Sequence, residues 1–172
     1  IILCPLGSDA GEYIEHFKKY KIKDDYIPII KDKLTSSAHI TTDKDDNQVS
    51  AFYIGGSNVA SDLLVKDIKE DLDLALVSPN DKQAMIGHAK ECYELKIPFC
   101  FDPGQQITTF NSQELMLLIG QAKFLIGNDY EMKLIQEKTG WDMDELLNHV
   151  EIVITTLGSR GSIVRFKDQI IE

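Results

Sequence analysis

Cysteine is scarce in this chain: Cys4, Cys92 and Cys100 are odd in number and fit neither a Cys-x-x-Cys nor a zinc-ligand spacing. A disulfide framework and a cysteine-based zinc site are therefore excluded, and the three read as free thiols in a reducing compartment. Basic residues are also short, 18 Lys and Arg against 28 Asp and Glu, for a net charge of -10. That balance argues against a nucleic-acid backbone as partner and points to a small substrate. An anionic ligand would have to be held by backbone donors, helix N-termini or a metal rather than by an overall positive field. No apolar run approaches the ~20 residues of a membrane helix, and no basic flank of a signal peptide is present. The expected setting is the cytoplasm, with no membrane partner. Metal motifs are missing too: no two of the four His residues have the spacing of His-Glu-x-x-His, and Asp43-Lys44-Asp45-Asp46-Asn47 lacks the Gly and distant Glu of an EF-hand loop.

What is present is a regular strand-helix rhythm from Leu72 onward. Leu74 to Val77 reads as a strand, and Asp81 to Lys96 as a helix with Ala84, Met85, His88, Ala89, Cys92 and Leu95 on one face. The strand Ile97 to Phe101, the polar loop Asp102 to Gln106 and the helix Ser112 to Ala122 follow. The strand Phe124 to Ile126 leads into a helix from Tyr130 to Lys138, and Met143 to His149, capped by Asp142 with Glu145, precedes the strand Ile152 to Thr155. Such alternation predicts βαβ units and a parallel sheet with right-handed crossovers. Upstream, Ser8 or Asp9 starts a helix, with Glu12 completing a capping box from Asp9 and Tyr13, Ile14 and Phe17 as its core stripe. Ile27 to Ile30, Ala38 to Thr42 and Val49 to Tyr53 read as short strands between polar turns. Ile1 to Leu3 and the residues up to Glu172 look like strands cut short, as in a piece of a longer protein.

Two loops at predicted strand ends carry most of the chemical interest. Asn128 followed three residues later by Glu131 is a capping-box pattern, and it also places a carboxylate at a helix start, where it can order waters around Mg²⁺. Thr156-Leu157-Gly158-Ser159-Arg160-Gly161 is either a plain turn or a ligand loop, because Gly158 and Gly161 let backbone come close to a ligand. In a doubly wound α/β sheet such loops, with Asp102 to Gln106, lie at the carboxyl ends of the strands and face one crevice. Together they suit a nucleoside triphosphate and phosphoryl transfer by positioning and charge neutralisation. Neither loop is a Walker motif or a Gly-x-Gly-x-x-Gly fingerprint.

Asn128-Asp129-Tyr130-Glu131 resembles the Asn-x-x-Glu motif of the ribokinase-like (PfkB) sugar and nucleoside kinases, and Thr156 to Gly161 is similar to their Thr-x-Gly-x-x-Gly nucleotide turn. Thr41-Thr42-Asp43, Asn47-Gln48, Phe52-Tyr53-Ile54-Gly55, Asn80-Asp81, Asp102-Pro103-Gly104-Gln105-Gln106 and Lys138-Thr139-Gly140-Trp141 resemble the bacterial adenosine kinase and archaeal nucleoside kinase branch. The resemblance implies an α/β fold, a three-layer α/β/α sandwich with a mostly parallel sheet. Its core would comprise residues 1–25 and 61–172, incomplete at both ends, and a small β lid would span residues 26–60. It implies transfer of the γ-phosphoryl of ATP to the 5′-hydroxyl of adenosine or a related nucleoside with Mg²⁺. By the same resemblance Asn128 and Glu131 are catalytic, with Glu131 also on the metal side; Thr156, Gly158 and Gly161 border ATP; Phe52 stacks on the base; and Gln105 or Gln106 donates to it. A stacking role for Phe52 suits a flat purine, and lid packing is its other reading. A homodimer through unpaired lid strands is a further expectation. The family's Asp-Thr-x-Gly-Ala-Gly-Asp segment, which supplies the anion hole and the base, does not occur in the chain, and its upstream sugar-gripping Gly-Gly segment is missing too: Gly55-Gly56-Ser57-Asn58 is superficially similar to it but has the wrong spacing and falls after the lid. This 172-residue piece is therefore expected not to turn over. The rival readings are a sugar kinase of the same family, acting on ribose or fructose, and a non-catalytic nucleotide-binding domain.

Overall fold

Apolar residues near the start of the chain gather around β1 (Leu6–Gly7) and α1 (Gly11–Lys19), where Leu6, Ala10 and Ile27 are buried and Ile2, Cys4, Ile14 and Phe17 pack against them. In this computed structural model, which describes residues 1–44 and 48–172, that cluster belongs to the first of two compact units, Ile1–Leu63 and Leu64–Glu172. β2 (Ile29–Ile30) runs parallel to β1, with Leu6 opposite Ile29. Gly7 is fixed by space: a Cβ there would lie 2.0 Å from the backbone of Leu34 and Thr35. β3 (Ser37–Thr42) and β4 (Gln48–Tyr53) form a separate antiparallel hairpin, from Ser37 opposite Tyr53 to Thr42 opposite Gln48. The acidic turn expected at 43–47 falls partly on residues 45–47, which lie outside the described residues.

Three expectations for this unit need correction. Asp9 does not cap α1; the cap position is Ala10, with no side-chain bond, and Asp9 Oδ1 instead accepts from both the backbone N and the Oγ1 of Thr35 at 2.7 Å. A partner 26 residues away outcompetes the local helix donors because it offers two donors to one carboxylate oxygen. Tyr13 is half-exposed rather than core, and the first strand is β1, not Ile1 to Leu3.

The second unit is built on one six-stranded sheet, ordered β10-β9-β8-β7-β6-β5. Its elements are β5 (Ala75–Val77), α2 (Lys82–Glu94), β6 (Phe99–Phe101), α3 (Ser112–Gln121), β7 (Phe124–Asn128), α4 (Asp129–Thr139), α5 (Met143–His149), β8 (Ile152–Thr156), β9 (Ser162–Arg165) and β10 (Ile170–Ile171). β5 to β8 are parallel, and β9 and β10 return antiparallel. The expected α/β class with a mostly parallel sheet is what the chain adopts. Asp81, Asn111, Asn128 and Asp142 each cap the following helix through a side-chain oxygen, which fixes where α2 to α5 begin. α2 starts as expected, but Leu95 falls beyond its end and is half-exposed.

Each parallel strand in this order lies on the same side of its predecessor, so right-handed crossovers put α2 to α5 on one face of the sheet. Val77, Phe99, Phe101, Leu125 and Val153 point into that layer and are buried, with Met85, Leu115, Ile119, Ile135 and Leu146 facing them from the helices. The pleat sends Leu76, Cys100, Ile126 and Ile154 to the opposite face, which is apolar yet exposed or half-exposed. Among the described residues no helix is long and apolar enough to cross a membrane. This division of faces predicts that Leu125→Ala lowers unfolding free energy by about 2–5 kcal/mol, whereas Leu76→Ala changes it by under about 0.5 kcal/mol. Urea titration of the two variants measures both.

Candidate active site

β7 sits between β6 and β8, and its parallel register sets Asn128 directly opposite Thr156. Partners in a parallel ladder share a face, so the Asn-x-x-Glu and Thr-x-Gly-x-x-Gly turns leave the sheet side by side at its carboxyl edge. Arg160 closes the gap: its guanidinium lies 3.4 Å from Asp129 Oδ2, joining the second turn to the first residue of α4. Both side chains are largely exposed, so this pair aligns loops more than it stabilises the fold.

Asn128 and Glu131 do form a capping box. Asn128 Oδ1 accepts from the Glu131 backbone N at 2.8 Å, and Glu131 Oε2 accepts from the Asn128 backbone N at 2.8 Å. The cap holds Oε2 of Glu131 against the turn and leaves Oε1 outside the box. Gly127 makes this possible, since a Cβ there would come within 3.2 Å of Glu131 Oε2 and Met132 Cε. In the neighbouring turn Gly158 and Gly161 have φ of +59° and +89°, with open space around both, so glycine is required there by conformation rather than by room. The Leu157 N donates to the Gly161 carbonyl at 2.8 Å and closes the turn.

Asp102, expected only as the start of a polar strand-end loop, is the carboxylate to which sequence reasoning gave no role of its own. It lies one step past β6, half-buried, with its backbone N donating to the Val77 carbonyl at 2.9 Å. Burial, and then the negative charge of Glu131, which lies within electrostatic reach, push its carboxyl above the ordinary aspartate range. The signal available in sequence was a carboxylate directly after an apolar strand, in the frame shared with Asn128 once the strands are registered. Asp102 and Glu131 fit Mg²⁺, an ion often held by one or two carboxylates while keeping several of its waters. No group of three or more metal-ligating side chains occurs among the described residues.

The loop after β6 is locked to the loop after β5. Gly104, at φ +47°, could not carry a Cβ without meeting Pro79 Cγ at 2.5 Å. Gln106 Nε2 donates to the Asn80 carbonyl at 2.8 Å, and its Oε1 accepts from Thr109 Oγ1 at 3.0 Å. Both ends of the Gln106 amide are thus engaged in holding loops together, while Gln105 is exposed. Phe52 lies in the first unit on β4, opposite Ala38 and largely exposed.

The model of the pfkB family carbohydrate kinases matches residues 2–171 of this chain. The chain belongs to that family. Among its pfkB relatives, the nucleoside kinase of Methanocaldococcus jannaschii is 27% identical over 160 residues, covering 93% of this chain and 52% of that protein. A second nucleoside kinase, from Methanothermobacter thermautotrophicus, is 26% identical, covering 99% of this chain and 56% of that protein. The structure of the Burkholderia thailandensis nucleoside kinase in complex with inosine superposes with a TM-score of 0.94 at 34% identity, covering 99% of this chain and 56% of that one. This chain therefore spans about half the length of these pfkB relatives. A ribokinase from Thermotoga maritima, at 18% identity and a TM-score of 0.73, shares the fold.

A carboxyl held above its ordinary pKa contributes stability that is present at low pH and lost as pH rises through the folded-state value. Asp102→Asn should therefore be more stable than the natural protein at neutral pH, and the difference should vanish in acid below the ordinary aspartate range. Thermal unfolding of both proteins across that range checks the sign.

Proposed function

We propose that the protein is a nucleoside kinase that moves the γ-phosphoryl of ATP to the 5′-hydroxyl of a purine nucleoside such as adenosine or inosine. The observation that carries this reading is the shared edge of β7 and β8, where Asn128 faces Thr156 and Arg160 reaches Asp129. Nucleoside kinases among the relatives, and an inosine complex in one at 34% identity, favour a nucleoside over a free sugar. In the reaction the bond from the γ-phosphorus to the bridging β-oxygen breaks and a bond to the 5′-oxygen forms, while the hydroxyl proton passes to a base. Thr156, Gly158 and Gly161 border the nucleotide, the glycines keeping that wall free of side chains. The capped carboxylate of Glu131 and the Asp102 carboxyl would hold Mg²⁺, with Asn128 setting the orientation of Glu131. Bound Mg²⁺ supplies charge neutralisation on the transferring phosphate.

Phe52 stacks on the base and Gln105 presents an amide to it. With Gln106 occupied by Asn80 and Thr109, Gln105 is the better donor of the two. The β3–β4 hairpin serves as the lid; the exposure of Ile40, Val49 and Phe52 suits both cover over a substrate and pairing with a second copy, and light scattering tests the dimer. Free thiols in a protein with no cysteine pair suit a cytoplasmic setting. No Gly-Ala-Gly-Asp base segment lies within the 172 residues, so these residues alone should bind ATP without turnover, as calorimetry and a phosphorylation assay together would show. Glu131→Gln in the complete protein should lower kcat by about 100-fold. The decisive comparison is the rate with adenosine, inosine, ribose and fructose; a preference for either sugar would sink the nucleoside reading, and phosphorylation of none would favour a nucleotide-binding domain without catalysis.

A further inference from the structure

Two lysines from different helices gather four consecutive backbone carbonyls. Lys138, near the end of α4, donates from Nζ to Ile107 O at 2.8 Å, Thr108 O at 3.0 Å and Phe110 O at 2.7 Å. Lys82, in the first turn of α2, donates to the remaining carbonyl, Thr109 O, at 3.1 Å, and pairs with Glu114 Oε2 at 2.7 Å. The carbonyls in question close the 3-10 turn Gly104–Thr108, the end of a helical segment where acceptors have no intrahelical partner. An ammonium has three N–H donors and no acceptor, so Lys138 is saturated by this one loop.

The geometry has a consequence for the site. The loop so held follows directly on Asp102, and the helix that holds it carries Glu131 in its first turn. α4 is a stiff rod of 11 residues with the carboxylate at one end and the ammonium near the other. Gln106 on Asn80 fastens the same loop from the β5 side but does not tie it to α4. We propose that Lys138 is a positioning residue, whose three bonds to the Ile107, Thr108 and Phe110 carbonyls set the distance between Asp102 and Glu131. This rests on the kinase reading only for its effect on rate; the clamp itself is read from the loop. Release of the loop therefore frees the Asp102 carboxyl to move relative to Glu131.

The test compares Lys138→Met with Lys133→Met, which removes an exposed lysine of the same helix that makes only a surface pair with Glu137. Backbone amide exchange across residues 102–110 is followed by NMR, and nucleoside phosphorylation by kcat and KM. K138M should speed exchange across that loop and cut kcat by about 10–100-fold, as for a displaced reacting group, with the nucleoside KM little changed; K133M should alter neither. A folded K138M in which loop exchange or kcat is unaltered would overturn the proposal. If K138M does not fold, the natural protein decides: the Lys138 ammonium should give a nitrogen-15 signal protected from solvent exchange, and a signal exchanging as fast as that of Lys133 would overturn the clamp. Faster loop exchange in K138M, with no phosphorylation by the natural protein, would support the clamp and overturn the kinase reading.

Discussion

The site depends on the parallel register of β7 and β8. Parallel strands need a long crossover, and here that crossover is α4 and α5, capped by Asn128 and Asp142 and ending at Val150. The crossover returns the chain so that Ile152 lies opposite Phe124, and the pairing then runs without a bulge to Asn128 and Thr156. A one-residue slip would exchange the faces, sending Val153 out of the helical layer and Thr156 away from Asn128. Burial of Leu125 and Val153 against α3 to α5 is what makes that slip unfavourable. Core packing on one face thereby fixes the alignment of polar groups at the end of the other.

Capping and the proposed catalytic role are not competing accounts of Asn128 and Glu131. A carboxylate free to rotate would be a poor organiser of hydrated metal, because its orientation entropy would have to be lost on binding. The reciprocal hydrogen bonds of the box remove that freedom in advance, and Gly127 leaves room for the carboxylate to lie over the strand end. The local rule for starting a helix and the proposed rule for placing a charge are satisfied by the same two bonds.

The loops around this edge differ in how they are held. The turn at 156–161 closes on itself through Leu157 and Gly161 and touches α4 through an exposed ion pair, so it has few constraints beyond its own backbone. The loop from Asp102 to Phe110 is fastened by Gly104 against Pro79, Gln106 on Asn80, Lys82 on Thr109 and Lys138 on three carbonyls. That contrast suits a site in which one side yields to a ligand and the other keeps two carboxylates in place.

Much of the second unit was legible because its signals are local. Apolar runs such as Phe124 to Ile126 and Ile152 to Ile154 declare strands buried on at least one face, and Asp81, Asn111, Asn128 and Asp142 mark helix starts through their own side chains. The two turns also carried a family resemblance that the match over residues 2–171 bears out. Other features were invisible for a physical reason. Asp9 binds Thr35, Lys138 reaches Ile107 and Asp102 feels Glu131 across separations of 26 to 31 residues that no local pattern encodes. The chain's order of residues determines which elements form and where they begin. Only the packed sheet decides which loop ends become neighbours, because strand register and helix docking are properties of the whole core.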